Sequence, residues 1–285
     1  MNSYSSSITH INLANGFRGG ERQTFLLMQE LSSRGYEQSL IAKKNSLLAT
    51  QSNSTDFGNL TKVGSDIGTV SNGVRAVSAI GIESDFSNAI DFFTIATTGN
   101  ASDFGDVASG SYGAHAALES PTRGILAGGF NNTPSPTTRY NRIDFLTIAT
   151  TGNTQDFGDL SVANSGASGT SSNTRGIIRH GQAAPTTQTN AIEFITIAST
   201  GNATDFGDSP YIAGAAGNDA SVTNTIRAVF AGGYGVSPAF TMVNGIEFIT
   251  IATTGNSVDF GDISQGTGGA ANKAGCSDSH GGLTE

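Results

Sequence analysis

The chain has 285 residues and a formal net charge of -9, with Gly at 38 positions and charged residues at only 13%, about half the usual share of a soluble domain. This excludes a highly charged disordered chain, a collagen-like repeat and a cysteine-rich scaffold, because there is one Cys and no Gly-X-Y period. With 14 Lys and Arg against 23 Asp and Glu, nucleic acid is not an expected partner. No apolar run approaches the ~18 residues that cross a bilayer, and the start Met1-Asn2-Ser3-Tyr4-Ser5 lacks the features of a signal peptide. The sequence therefore predicts a soluble chain with no membrane insertion.

Charge is uneven along the chain. Residues 1-50 hold Arg18, Arg22, Arg34, Lys43 and Lys44 against three acids, for +2, and the remainder carries -11. Within this basic part, Ile8 to Ala14 reads as a strand and Gly16 to Gly20 as a glycine loop. An amphipathic helix is predicted from Glu21 to Arg34, with Phe25, Met28 and Leu31 three apart and Gly35 as its stop signal. Glu37 to Ala42 reads as the next strand, which completes one βαβ unit.

On Gly19-Gly20-Glu21-Arg22 and Arg34-Gly35-Tyr36, this segment resembles the start of family 4 retaining glycosyltransferases with the two-domain GT-B fold. The resemblance implies that the loop Gly19, Gly20, Glu21, Arg22 borders a cleft and that the helix N-terminus faces an anionic sugar-nucleotide group. It ends near Thr50, and the family's catalytic acids have no counterpart here. No catalytic residue is assigned and no sugar transfer is expected. A fusion remnant, a chimeric gene and a cap on the following domain all remain open.

From residue 55 onward the chain is a repeat. One phrase recurs at Ile90 to Asn100, Ile143 to Asn153, Ile192 to Asn202 and Ile246 to Asn256. Each copy is followed by Asp-Phe-Gly-Asp, beginning at Asp103, Asp156, Asp205 and Asp259, and a degenerate copy at Asp56-Phe57-Gly58-Asn59 precedes them. Successive Asp-Phe-Gly sites are 47, 53, 49 and 54 residues apart, and Arg75, Arg123, Arg175 and Arg227 keep the same beat at 48, 52 and 52. A period near 50 lies in the range of propeller blades.

Each unit reads as about four short strands. The Ile-Asp/Glu-Phe run is rich in β-branched and aromatic residues, and Thr-Thr-Gly-Asn ends it with turn chemistry. Asp-Phe-Gly-Asp is predicted to be a short strand or tight turn that buries Phe, with Gly permitting positive φ. Thr122 to Gly129 and Ile226 to Gly233 are apolar strands closed by Gly pairs. Small-residue stretches such as Ser161 to Thr170 suit an innermost strand near a central axis.

The Arg-x-x-x-x-Gly-Gly strand, followed by Ile-Asp/Glu-Phe-x-Thr-Ile-Ala-Thr-Thr-Gly-Asn, resembles the kelch-like repeats of phage structural proteins, chiefly from marine phages. The likeness covers residues 55-285 and extends to the ending Gly275 to Leu283. It departs at Arg179-His180-Gly181 in the third unit and at Ser78 to Gly81 in the first, where the Gly pair is replaced. It implies a β-propeller belonging to a tail or surface appendage. The expected fold is thus mainly β: a kelch-like β-propeller of about five blades preceded by a short βαβ segment. Four units are complete (about 60-107, 108-160, 161-208 and 209-262), and a fifth over 263-285 is shared with the N-terminal part or incomplete. An array that does not close has open edges that need a partner or another copy.

Candidate sites are few. His10, His115, His180 and His280 have no metal-binding spacing, so no metal and no cofactor are expected. The pairs Asp103/Asp106, Asp156/Asp159, Asp205/Asp208 and Asp259/Asp262 read as solvated turn residues, with a ring of Ca²⁺ sites as the alternative. Arg75, Arg123, Arg175 and Arg227 are expected to pair with Asp or Glu of a neighbouring strand or blade, or else to form an anion- or glycan-binding site. Cys276 reads as a buried thiol. The expected function is a non-enzymatic structural or receptor- and glycan-binding propeller of a virion or extracellular surface. Its binding loops would include Asn131 to Thr138 and Gly235 to Phe240. A truncated glycosyltransferase relative and a chimeric product without selected function are the alternatives.

Overall fold

β-Branched and aromatic residues alternate through each repeat, and each such stretch is a strand. The computed structural model describes residues 7-12, 37-42, 56-82, 86-108, 110, 113, 115-132, 136-184, 187-213, 220-233 and 243-263. All regular structure among them is β, and none of it is a helix able to cross a membrane. The chain divides into two compact units, Met1–Phe57 and Gly58–Glu285.

In the first unit, β1 (Ser7–Asn12) and β2 (Glu37–Ala42) pair in parallel, in register from Ser7 with Glu37 to Asn12 with Ala42. The first strand ends two residues before the predicted Ala14, and the second matches its predicted bounds. Parallel neighbours need a long crossover between them. The predicted helix and the loop Gly19, Gly20, Glu21, Arg22 lie outside the described residues.

Among the described residues, the second unit holds four antiparallel sheets in chain order. The first contains β3 (Gly68–Ser71), β4 (Arg75–Ala79), β5 (Ala89–Thr94) and β6 (Ser102–Asp106). The second contains β7 (Ala116–Glu119), β8 (Arg123–Ala127), β9 (Phe130–Asn131), β10 (Thr138–Thr147) and β11 (Gln155–Asn164). The third contains β12 (Ser168–Ser171), β13 (Arg175–Arg179), β14 (Gln182–Ala184), β15 (Thr187–Thr196) and β16 (Thr204–Ala213). The fourth contains β17 (Ala220–Thr223), β18 (Arg227–Ala231), β19 (Gly245–Thr250) and β20 (Val258–Asp262). Short β9 and β14 pair with the early part of β10 and β15, and their Phe130 and Gln182 also bridge Gly113 and Ser165.

Two boundaries differ from expectation. Ser161 to Asn164 continues β11 instead of opening the next first strand, and β16 likewise runs on to Ala213. The extension pairs Tyr140 with Asn164, and Leu160 is buried. The turn falls later, where Gly166 takes φ 68°.

Every sheet carries the same bulge. Ile90 faces Gly105 while Asp91 faces Asp103, so Phe104 is the extra, unpaired residue of β6. The same shift makes Phe157, Phe206 and Phe260 the bulged residues of their strands. Each meets the third-strand phenylalanine edge to face, as in Phe145–Phe157 at 6.1 Å between centroids.

The cores lie between sheets as well as within them. Val70, Val77 and Ile90 of the first sheet share a buried cluster with Leu126 and Leu146 of the second and with Ile148 just beyond β10. Leu118, Ile125 and Ile143 do so with Ile178, Ile195 and Ile197, and Ile177 and Ile192 with Phe230, Ile249 and Ile251. Each sheet thus covers the apolar face of the next.

Candidate functional site

The most specific phrases of the repeat meet at the junctions between sheets. Thr-Thr-Gly-Asn closes the hairpin after the third strand, where Thr150 N–H donates to Thr147 O at 3.2 Å. The turn also grips the Asp-Phe-Gly-Asp strand of the preceding sheet. Gly152 N–H donates to Phe104 O at 2.8 Å and Thr154 N–H to Asp106 O at 3.0 Å, while Asp106 N–H donates to Asn153 Oδ1 at 3.0 Å. The same three bonds join Gly201, Ala203 and Asn202 to Phe157 and Asp159, at 2.8, 2.8 and 3.0 Å. A third set joins Gly255, Ser257 and Asn256 to Phe206 and Asp208, at 2.7, 3.0 and 3.0 Å.

Glycine is required in this clasp. A Cβ on Gly105, Gly158 or Gly207 would lie 2.5 or 2.6 Å from backbone atoms of the gripping turn, and their φ values are 145°, 149° and 148°. At the start of the unit, Asn59 fills the equivalent place on the first turn. Its N–H donates to Asn100 Oδ1 at 3.0 Å, and its carbonyl accepts from Ala101 at 2.8 Å.

The recurring arginines reinforce these junctions. Arg75, Arg123, Arg175 and Arg227 stack on Phe92, Phe145, Phe194 and Phe248, with the guanidinium carbon 4.3, 4.7, 4.3 and 4.6 Å from the ring centroid. Arg75 also donates to Ile148 O at 3.2 Å, Arg123 to Ile197 O at 3.0 Å and Arg175 to Ile251 O at 2.7 Å, each across to the following sheet. The expected carboxylate partners are therefore replaced by main-chain carbonyls. A carbonyl at a strand end supplies an acceptor where no acidic residue recurs.

The carboxylates that do recur inside the sheets were not singled out in the sequence. Asp91, Asp144, Glu193 and Glu247, between Ile and Phe of each third strand, are all buried. Their partners differ. Asp91 accepts from Thr61 N–H and Oγ1, both at 2.6 Å, and Asp144 lies 3.7 Å from Arg142 Nε. Glu247 lies 2.6 Å from Arg179 Nε and accepts from Ser209 and Ser257 hydroxyls at 2.7 Å each. Glu193 Oε2 lies 2.7 Å from His180 Nε2, and its carboxylate also accepts from Ser161 N–H. Burial alone would raise the Glu193 pKa; the His180 and Ser161 hydrogen bonds and the attraction of His180 outweigh it and hold it below its ordinary value. Arg179-His180, the departure from the Gly pair, thus supplies a partner to each of the last two buried acids. The sequence signal was an acid at one register position in four apolar strands.

Other ionisable groups are placed singly. His115 is buried, and burial followed by the Arg142 charge lowers its pKa to about 4. Glu119 ends β7, whose counterparts in the other sheets, β3, β12 and β17, hold Ser71, Ser171 and Thr223 at the same position. Burial raises its pKa to about 7. The eight aspartates of the Asp-Phe-Gly-Asp copies are exposed, and among the described residues no three His, Cys, Asp or Glu form a metal-binding group. His10 lies in β1, while Cys276, His280 and the loop tips Thr133 to Ser135 and Gly235 to Phe240 lie outside the described residues.

Two open clefts repeat at the hairpins. One of about 110 Å³ is lined by Phe145, Thr147, Thr150, Thr151 and Gln155. Its counterpart, about 120 Å³, is lined by Phe194, Thr196, Ser199, Thr200 and Thr204. Each is lined mainly by hydroxyls and other polar groups, a surface that offers hydrogen bonds to a polyhydroxylated ligand. The sequence repeats Thr94, Thr97 and Thr98 in the first unit and Thr250, Thr253 and Thr254 in the fourth.

No protein-family model matches the chain, and no curated protein matches it. Among solved structures, one titled "Structure of YjhT" is similar, with a TM-score of 0.62 at 10% identity over 76% of this chain and 70% of that one. At that identity the likeness is one of fold, a β-rich arrangement of sheets.

Proposed function

We propose that the chain is a non-enzymatic β-propeller, with four complete blades and a fifth shared or incomplete, that serves as a structural or receptor- and glycan-binding component of a phage virion or other extracellular surface. One observation carries this reading: in the first three sheets the recurring groups are spent on joining each sheet to the next. Arginine binds carbonyls, asparagine binds an N–H, glycine makes room for glycine, and the buried acids are matched by neighbours. That is scaffold chemistry. What remains for a ligand are the hydroxyl-lined clefts, repeated around the array, and the loops that differ between units. Weak sugar binding at several such clefts becomes useful by multivalency.

The alternative, a glycosyltransferase relative, draws on the parallel β1–β2 pair, which suits a βαβ start. The two readings separate on one experiment: the purified full chain on a glycan array, beside a titration with sugar nucleotides. The scaffold reading expects array binding that weakens in Thr150→Ala and Thr200→Ala and no sugar-nucleotide binding. Sugar-nucleotide binding with an empty array would overturn it.

A further inference from the structure

Among the described residues, the two ends of the four-sheet array carry incompletely covered halves of one interface. Three times within the chain, a sheet presents an arginine, a bulged phenylalanine and a glycine to the next sheet. That sheet answers with the Ile carbonyl and the Thr-Thr-Gly-Asn turn, which in the third sheet is Ser199-Thr200-Gly201-Asn202. The fourth sheet has the presenting half, and among the described residues nothing receives it. Phe260 is 59% exposed, while Phe104, Phe157 and Phe206 are 2 to 3% exposed. A Cβ on Gly261 would meet no atom within 4 Å, and Arg227 is exposed where its three counterparts are half-buried.

The first sheet has the answering half. Ile95 is 41% exposed, whereas the equivalent Ile148, Ile197 and Ile251 are 0 to 3% exposed beneath the preceding sheet. Its turn is gripped by the chain's own Gly58 and Asn59, a segment that is not a strand, so a docking sheet must take the place of that segment while Ile95 lies open.

We propose that the fourth sheet docks on the first sheet of a second copy of this chain, head to tail, with the same contacts that join sheets inside one copy. In this arrangement Arg227 donates to the second copy's Ile95 carbonyl, and Phe260 is covered by its Thr97 to Asn100 turn. Asp262 N–H donates to its Asn100 Oδ1, displacing that copy's Asn59. The occupant is a second copy because the surface continues an interface the chain already makes three times, and because every copy carries the matching turn. A head-to-tail contact leaves one free end of each kind, so association proceeds to a ring or a filament.

The test is sedimentation of the full chain over a range of concentrations, with Ile95→Asp and Phe260→Asp as single variants and as an equimolar mixture. The wild type is expected to gain mass with concentration, and each variant alone to associate about 10- to 100-fold more weakly, the effect of losing one buried large apolar side chain. The mixture is expected to recover association and stop at a 1:1 dimer, since each variant keeps the end the other has lost. Both side chains are exposed in the single chain, so far-UV circular dichroism should match the wild type. Ile95→Lys and Phe260→Lys, read in the same way, replace any variant that fails to fold. A wild type that stays monomeric to the highest soluble concentration would overturn the proposal, because the edge is then either idle or covered from within the chain. So would a mixture that remains monomeric while the wild type associates.

Discussion

Replacing Gly158 by Ala separates the two reasons for glycine in the clasp. At φ 149°, an L side chain costs about 1–3 kcal/mol in backbone strain. Its Cβ would also stand 2.5 Å from Gly201 O, so the gripping turn must retreat by about an ångström, a full contact distance being near 3.4 Å. That movement breaks or stretches the bonds from Gly201, Ala203 and Asp159, worth about 1 kcal/mol each. With all three bonds lost the total is about 4–6 kcal/mol. Gly261→Ala carries the strain at φ 136° but meets no atom within 4 Å, so it should cost only about 1–3 kcal/mol. Urea unfolding of both variants, at concentrations where the wild type is monomeric, reads the difference. Gly158→Ala should be the weaker by about 2 kcal/mol or more. Equal losses would refute the clasp and leave backbone conformation as the sole reason for glycine.

Two further outcomes follow from the buried charges. Arg179→Met leaves Glu247 buried with hydroxyl partners alone and should destabilise by about 3–5 kcal/mol, while adding Glu247→Leu should recover much of the loss; a double variant no better than the single one would contradict the pairing. Stability should also depend on pH through His115 and Glu119, with opposite signs. His115, held near pKa 4 when folded against 6.5 when unfolded, removes stability as pH falls through that window. Glu119, raised from 4.5 to about 7, removes stability as pH rises from 4.5 to 7 and reaches its full cost above that. Glu119→Gln should therefore gain on the wild type between pH 4.5 and 8, by about 1–3 kcal/mol once partial solvation of the carboxyl is allowed for. Parallel stability curves for the two proteins would show that the carboxyl does not titrate in that way.

The repeat was legible because the junctions are made of residues that tolerate no substitute. Gly158 and Gly207 must be glycine for backbone to meet backbone, Asn153 and Asn202 must reach a neighbour's N–H, and Phe157 must fill the bulge. Such residues return at every period, so their spacing marks the sheets. The partners of the arginines were not legible, since a carbonyl of Ile148 or Ile197 leaves no trace in side-chain identity. Charge alone suggested an acid instead. The buried row Asp91, Asp144, Glu193 and Glu247 was passed over because an acid in a strand ordinarily marks the solvent face. Here each has a separate local partner, from Thr61 to Arg179, and no common motif announces it. The run of β11 to Asn164 was missed because Ser161 to Thr170 is small-residue chain throughout, and Gly166 alone fixes where it turns.

Amide hydrogen exchange at the Asp-Phe-Gly-Asp strands tests most directly whether the repeat is an interface built from these residues. The N–H groups of Asp106, Asp159 and Asp208, each donated to an asparagine of the next sheet, should be strongly protected at every protein concentration. The Asp262 N–H should exchange fast in dilute solution and gain protection only as the protein is concentrated. Fast exchange at Asp159, or an Asp262 as protected as Asp159 in the most dilute sample, would contradict the account.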